Sequence, residues 1–332
     1  MSVAVEVGQE PQSAATVLMV RPRRFGFNPQ TAASNAFQRA PESRAAAESG
    51  AEHKGVSPGE LELQARAWRE FDGLADALQR AGVEVLIAAD TDSPVKPDAV
   101  FPNNWVSFHR DGTVALYPML AVNRRAERRE EILEQVVREG SFRVSRMVDL
   151  THREARDEFL EGTGSVVLDR THRVAYASPS PRTDLDVLGE FAQLLDYELV
   201  TFDAIDAAGQ PVYHTNVAMA IGTGFAVVCG EAIANAAHRA AVLSKLRATG
   251  HEVIDITLGQ MLQFAGNVLE LAPATGKVVA LSAAAWGCLE AGQKRSLESH
   301  AGIVTVAIPT IERIGGGGVR CMLAEIHLPK RA

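Results

Sequence analysis

The sequence predicts an α/β protein built as a closed ring of five repeated strand–strand–helix–strand units. Two observations carry that prediction. From residue 100 onward the same order of apolar runs, turn signals and amphipathic stretches recurs four times, and the flanking termini hold the parts of a fifth copy. Chemically unusual residues also recur at one position of each copy, with separations of 57, 53, 53 and 54 residues.

The first unit begins with the strand "TVLMVRP", continues through the helix "PGELELQARAWREFDGLADALQRAG" and closes with the strand "VEVLIAA". It lacks one strand, which the C-terminal "RCMLAEIHLP" is free to supply. The second reads as two short strands in "AVFPNNWVSFHRDGTVALYP", turned at Asp111-Gly112, then a helix in "NRRAERREEILEQVVREG" and a strand in "FRVSRMVDL". The third is "SVVLDRTHRVAYAS", "TDLDVLGEFAQLL" and "YELVTFD". The fourth is "NVAMAIGTGFAVVCG", "EAIANAAHRAAVLSKLRATG" and "HEVIDI". The fifth is "NVLELAPATGKVVALS", "AAAWGCLEAGQKRSLESH" and "GIVTVAIP". Units of this kind cannot bury their apolar faces alone, and pairing the two termini would close the ring without a free edge between repeats. The domain reading is therefore a loose tail over 1–15 and a single catalytic domain over 16–330. Within that domain the polar, small-residue stretch 39–60 reads as a surface loop or a lid.

Composition narrows the function. Of 332 residues, 46% are hydrophobic and 22% charged, as in a globular domain with a sizeable core. A net charge of −8 argues against a nucleic-acid partner, and no apolar run approaches the length of a membrane span. The N-terminus lacks the basic and apolar regions of a signal peptide. Three cysteines are too few for a disulfide framework, so a reduced, cytoplasmic setting is expected. The sequence leaves a homo-oligomer open.

The recurring positions are Asn104 in "FPNNW", Glu161 in "LEGTGS", His214 in "YHTN", Asn267 in "GNVLEL" and Cys321 in "VRCML". In a ring, equivalent positions gather about one axis, so these five should face one pocket. Cys321 is the expected nucleophile, preceded by four consecutive glycines that bring backbone N–H groups within reach of an anion. His214 is the expected general acid and base, and Glu161 the carboxylate that orients it. Cys229, in an apolar strand, and Cys288, in a helix, read as structural thiols. His109, His172 and His251 read as turn or strand-end residues. "GTGS" and "GTG" are not phosphate loops, no GxSxG occurs, and no Cys or His pair has metal-ligand spacing, so neither metal nor cofactor is expected.

Together "FPNNW", "LEGTGS", "SPRTD", "YHTN", "GNVLEL" and "GGGGVRCM" resemble the guanidine-modifying superfamily of amidinotransferases and arginine deiminases, whose fold is the five-bladed pentein α/β-propeller. With "VRPRRFGFNPQTAASNAFQ" included, the resemblance, over about residues 17–329, is greatest to the citrulline-utilisation hydrolases. It implies a thiol attack by Cys321 on a guanidinium or ureido carbon, proton transfer by His214 and orientation by Glu161. It further implies that Arg182, and with less specificity Arg124, bind the carboxylate of an amino-acid substrate. Arginine-processing relatives commonly place Asp where this chain has Asn104 and Asn216, an exchange that suits a neutral ureido group. Citrulline, converted to ornithine, carbon dioxide and ammonia, is then the leading substrate. Asp98 is a further pocket candidate that could restore a carboxylate; otherwise it caps the turn after Pro97. An arginine deiminase, a dimethylarginine hydrolase and an amidinotransferase stay open, as does a non-catalytic binding module that dispenses with the Cys, His and Glu.

Overall fold

The computed structural model describes residues 10–40 and 57–331. Among the described residues, fifteen strands fall into five three-stranded groups with one pattern. The groups are β3 (Val106–Phe108), β4 (Thr113–Leu116) and β5 (Arg146–Asp149); β6 (Val166–Asp169), β7 (Val174–Ala177) and β8 (Glu198–Thr201); β9 (Met219–Ile221), β10 (Phe225–Val228) and β11 (Glu252–Asp255); and β12 (Leu269–Leu271), β13 (Val278–Ser282) and β14 (Gly302–Val306). The fifth combines the two ends of the chain: C-terminal β15 (Ala324–Ile326) with β1 (Thr16–Arg21) and β2 (Glu84–Ala89). In every group the middle strand pairs antiparallel with one neighbour and parallel with the other. A single pairing, Ile326 with Phe108, joins the terminal group to its neighbour as a six-stranded sheet.

The chemistry of the strands explains the order. A parallel third strand needs a crossover, and each group supplies a helix there: Pro58–Arg80, Glu130–Glu139, Leu185–Leu195, Ala236–Ala248 and the pair Ala283–Cys288 and Ala291–His300. First and middle strands such as "VVLD", "VAYA" and "FAVV" are buried throughout. Third strands such as "EVID" and "ELVT" carry charged ends and stay half exposed, as befits a strand at the rim.

Several boundaries differ from the sequence reading. The stretch expected as one helix over 123–140 opens as a 3-10 turn, Val122–Glu127, because Arg124 is drawn inward instead of onto a solvent face. The last crossover breaks at Leu289–Glu290, where Glu290 and Gln293 form a new capping box. Within the expected loop 39–60, Ser57 caps a helix that starts at Pro58, and residues 41–56 lie outside the described residues. The expected tail is corrected in its second half. Glu10, Gln12 and Ser13 are buried, with Glu10 paired to Arg170 and Arg173 and Gln12 donating to the Leu168 and Ile221 carbonyls. Residues 1–9 lie outside the described residues.

Candidate active site

Each candidate side chain sits on the short turn that feeds a first strand. Asn104 ends the one-turn helix Pro102–Asn104 before β3. Glu161 and His214 are the N-cap residues of Gly162–Ser165 and Thr215–Ala218, which run directly into β6 and β9. Cys321 lies in Val319–Met322 before β15, and Asn267 stands two residues before β12. Structurally equivalent turns thus carry all five, and all five are buried.

Glycines let these turns approach. A Cβ on Gly164 would lie 2.5 Å from Asn104 Nδ2 and 2.8 Å from His214 Nδ1. In the four-glycine run, Gly316 has φ +69°, and a Cβ there would meet the Gln38 backbone nitrogen at 2.9 Å. Gly315 and Gly317 lie against the Phe101 ring, and a Cβ on Gly318 would meet Asn267 Oδ1 at 2.6 Å. The Gly316 carbonyl accepts from Tyr213 Oη and Asn35 Nδ2. The run therefore serves close packing around Cys321 more than an exposed anion cradle.

His214 Nε2 lies 2.9 Å from Glu161 Oε2, and Arg182 and Arg124 approach the same oxygen at 3.3 and 3.7 Å. Burial pushes the Glu161 carboxyl up, but Arg182, His214 and Arg124 outweigh it and hold the group well below the usual range. Glu161 is thus an acceptor, so Nε2 carries the imidazole proton and Nδ1 is left basic. Burial lowers His214 to about 4 against the pull of Glu161. Burial also raises the Cys321 thiol, although Asn267 donates to its sulfur at 3.3 Å. At neutral pH the resting pair is a thiol and a neutral imidazole.

His214 and Cys321 border a narrow pocket together with Asp98, Asn104, Arg124 and Arg182. Thr31, Asn35, Phe101 and Tyr213 complete much of its wall. Of the polar loop after β1, Asn35 thus reaches the pocket, whereas Asn28 stands behind and donates to Asp98 Oδ2 at 2.7 Å. Gln30 accepts from the Asn123 backbone at the surface. Asn216 and Asn267, expected to face the substrate, do not line this cavity. They lie behind the sulfur, where Asn267 donates to the Asn216 carbonyl and Asn216 to the Thr163 carbonyl. Asn216 instead lines a second, equally narrow pocket with Arg320 and Glu325. Arg320 turns to that side, donating to Glu325 and the Leu323 carbonyl rather than toward the thiol.

The two arginines are already engaged. Arg124 holds Glu127 through Nε and Nη2 and donates from Nη1 to Asn104 Oδ1 at 2.9 Å. Arg182 grips the Thr31 carbonyl and Ser34 Oγ as well as Glu161, with its guanidinium over the Tyr213 ring. Thr31, Phe101 and Tyr213 are pocket residues that sequence reasoning did not single out. Two of them adjoin the motif residues, in "VFPNN" and "YHTN", but nothing in an aromatic beside a motif distinguishes a wall from ordinary core.

A family model described as N,N dimethylarginine dimethylhydrolase, eukaryotic, matches residues 21–328. The chain belongs to that family. It lies within the pentein superfamily of guanidino-modifying hydrolases. A search of curated protein sequences finds no match. Among solved structures, apo ArgZ, an arginine dihydrolase from cyanobacteria, is 18% identical with a TM-score of 0.69, over 95% of this chain and 41% of that one. Unliganded AgrE is 19% identical with a TM-score of 0.68, over 96% and 40%. A dimethylarginine dimethylaminohydrolase variant, captured as an adduct with S-methyl-L-thiocitrulline, is 14% identical with a TM-score of 0.61, over 94% and 100%. At these identities the likeness establishes the α/β fold. The chain spans about two fifths of the ArgZ and AgrE chains it matches there. Among the described residues no helix is long and apolar enough to cross a membrane.

Proposed function

We propose that the protein is a Cys321-dependent hydrolase of C–N bonds in a ureido or guanidino amino acid, with L-citrulline as substrate. The carrying observation is the orientation of Asn104. Arginine has only donors, so the bond from Arg124 Nη1 fixes Asn104 Oδ1 toward Arg124 and turns Nδ2 away from it. That Nδ2 is buried and has no partner among the described residues. A buried donor without an acceptor is costly, by about 1–3 kcal/mol. A ureido oxygen would satisfy it, whereas a guanidinium offers only further N–H groups. Arg124 acts here as the residue that positions Asn104; Arg182, which would exchange its bonds to Ser34 Oγ for the ligand, is the candidate for the substrate carboxylate.

The chemistry follows from the protonation states. His214 takes the Cys321 proton, and the sulfur attacks the ureido carbon. The imidazolium, steadied by Glu161, protonates the departing ammonia as the carbon–nitrogen bond breaks and a thiocarbamate remains. Water, deprotonated by His214, attacks that carbon and breaks the carbon–sulfur bond. The carbamate released loses carbon dioxide and leaves ornithine. Thiol, imidazole, carboxylate and water account for every step. The five strand groups suit a pentein propeller with the pocket at its axis, as the recurrence of the site residues implies.

A second reading has its own support. Asp98 is buried at the pocket wall with Oδ1 unpartnered among the described residues. Arg124 and Arg182 face three carboxylates, Asp98, Glu127 and Glu161; burial raises Asp98 and pushes Glu127 up to about 7, so a cation entering the pocket would draw a further carboxylate into its charged form. A cationic guanidinium would balance that charge and occupy Oδ1, so arginine could be admitted and carried through a ureido stage to ornithine. Substitution Asn104→Asp tests the choice. Citrulline turnover should fall by roughly 100-fold, the scale of one lost charge-stabilising donor, while arginine turnover is kept or gained. Equal loss on both substrates would remove Asn104 as the group that selects the ureido oxygen.

A further inference from the structure

We propose that Asp169, His172 and His251 form a binding site for a divalent transition-metal ion of the zinc class, joining two strand groups away from the catalytic pocket. Asp169 ends β6, His172 lies in the turn to β7, and His251 stands between the helix Ala236–Ala248 and β11 of the next group. One ligand atom from each lies within 4.8 Å of the others. His172 Nδ1 is 2.9 Å from both Asp169 oxygens, and His251 Nε2 is 3.9 Å from Oδ2. These separations bracket the roughly 3.3 Å between ligands of a tetrahedral ion with bonds near 2.0–2.1 Å. Two nitrogens and an oxygen are a donor set suited to such ions.

Two further observations bear on a cation at this place. His251 Nδ1 faces the Leu246 carbonyl at 3.3 Å, an acceptor, so Nδ1 carries a proton and Nε2 is the nitrogen turned toward Asp169. Thr249 Oγ1, bonded to the Lys245 and Leu246 carbonyls, is free to accept from the same Nδ1. Nε2 faces the Asp169 carboxylate, and both side chains are about 1% exposed. A cation between them would be held by both, with the backbone carbonyl fixing the imidazole from behind as in other metal sites. The second observation is Tyr176. By sheet register its side chain shares a face with Val174 and hence with Asp169, and its buried hydroxyl has no partner among the described residues. A water completing the ion's coordination would give that hydroxyl a partner. His172, 39% exposed at its side chain, is the entry. Sequence spacing hides the site because 79 residues separate the two histidines.

The test uses an untagged chain carrying Cys321→Ala, so that the catalytic thiol cannot bind the probe. Titration with Co2+ should give visible d–d absorption saturating at one ion per chain, displaced by Zn2+, and Zn2+ should raise Tm. His172→Ala, at an exposed turn, and His251→Ala should weaken binding by more than the 10–100-fold typical of losing an outer partner, and abolish the Tm rise. Binding that is absent in the Cys321→Ala chain, or undiminished in His172→Ala, would overturn the proposal.

Discussion

Cys321 is a buried thiol whose proton is held above its ordinary value of 9.0, first by burial. Alkylation by iodoacetamide in the free protein should therefore be slow at pH 7 and still rising beyond pH 9, because only the thiolate reacts. A plateau near pH 7 would mean that a thiolate is already formed at rest and that His214 does not need to receive the proton. His214→Ala should lower kcat by roughly 10²–10⁴-fold, since one group both activates the thiol and protonates the leaving nitrogen. At this scale the sequence was informative where the residue recurs, as Glu161 and His214 do at 53-residue spacing. It was silent on which side of the sulfur an amide would fall: Asn104 and Asn216 match the same motif logic, yet only Asn104 reaches the front cavity.

The elements that position the site are turns of four residues or fewer, held close by glycine. Gly316→Ala would place a Cβ at φ +69° against the Gln38 backbone, costing at least about 1–2 kcal/mol in conformation before any clash. Chemical denaturation should show that loss, together with reduced activity as Cys321 shifts. An unchanged midpoint would contradict the packing role of the glycine run. The crossover helices and paired strands were legible because their apolar periodicity is local. The inward 3-10 turn at Arg124 was not, because a run of arginines and glutamates reads as a solvated helix until Glu127 and Asn104 are seen to receive the guanidinium.

For the whole molecule, buried charge couples stability to pH. Glu10 and Glu325 are held at about 2 despite burial, by Arg170 and Arg320 respectively, so their stabilisation is present above 4.5 and lost as pH falls toward 2. Burial lowers His109 to about 3 and His214 to about 4, so the unfolded chain takes up protons from 6.5 downward while the fold does not. Burial raises Glu312 to about 7, which has the opposite sign: its contribution is complete below 4.5 and fades as pH rises to 7. The terms partly cancel between 4.5 and 6.5, and only losses remain below that window. Tm by calorimetry should accordingly fall most steeply below pH 4.5; a flat Tm from pH 7 to 3.5 would contradict this. Glu10→Ala should cost roughly 3–5 kcal/mol by stripping Arg170 of its partner. A polar N-terminal segment gave no local sign of this, since its partner lies 160 residues away.

The most direct test of the account is ornithine release from L-citrulline by the purified protein, measured beside L-arginine and a Cys321→Ala control. The account predicts ornithine and ammonia from citrulline in equal amounts, abolished by Cys321→Ala. Turnover of arginine to citrulline alone, with citrulline itself left intact, would contradict the role given to Asn104.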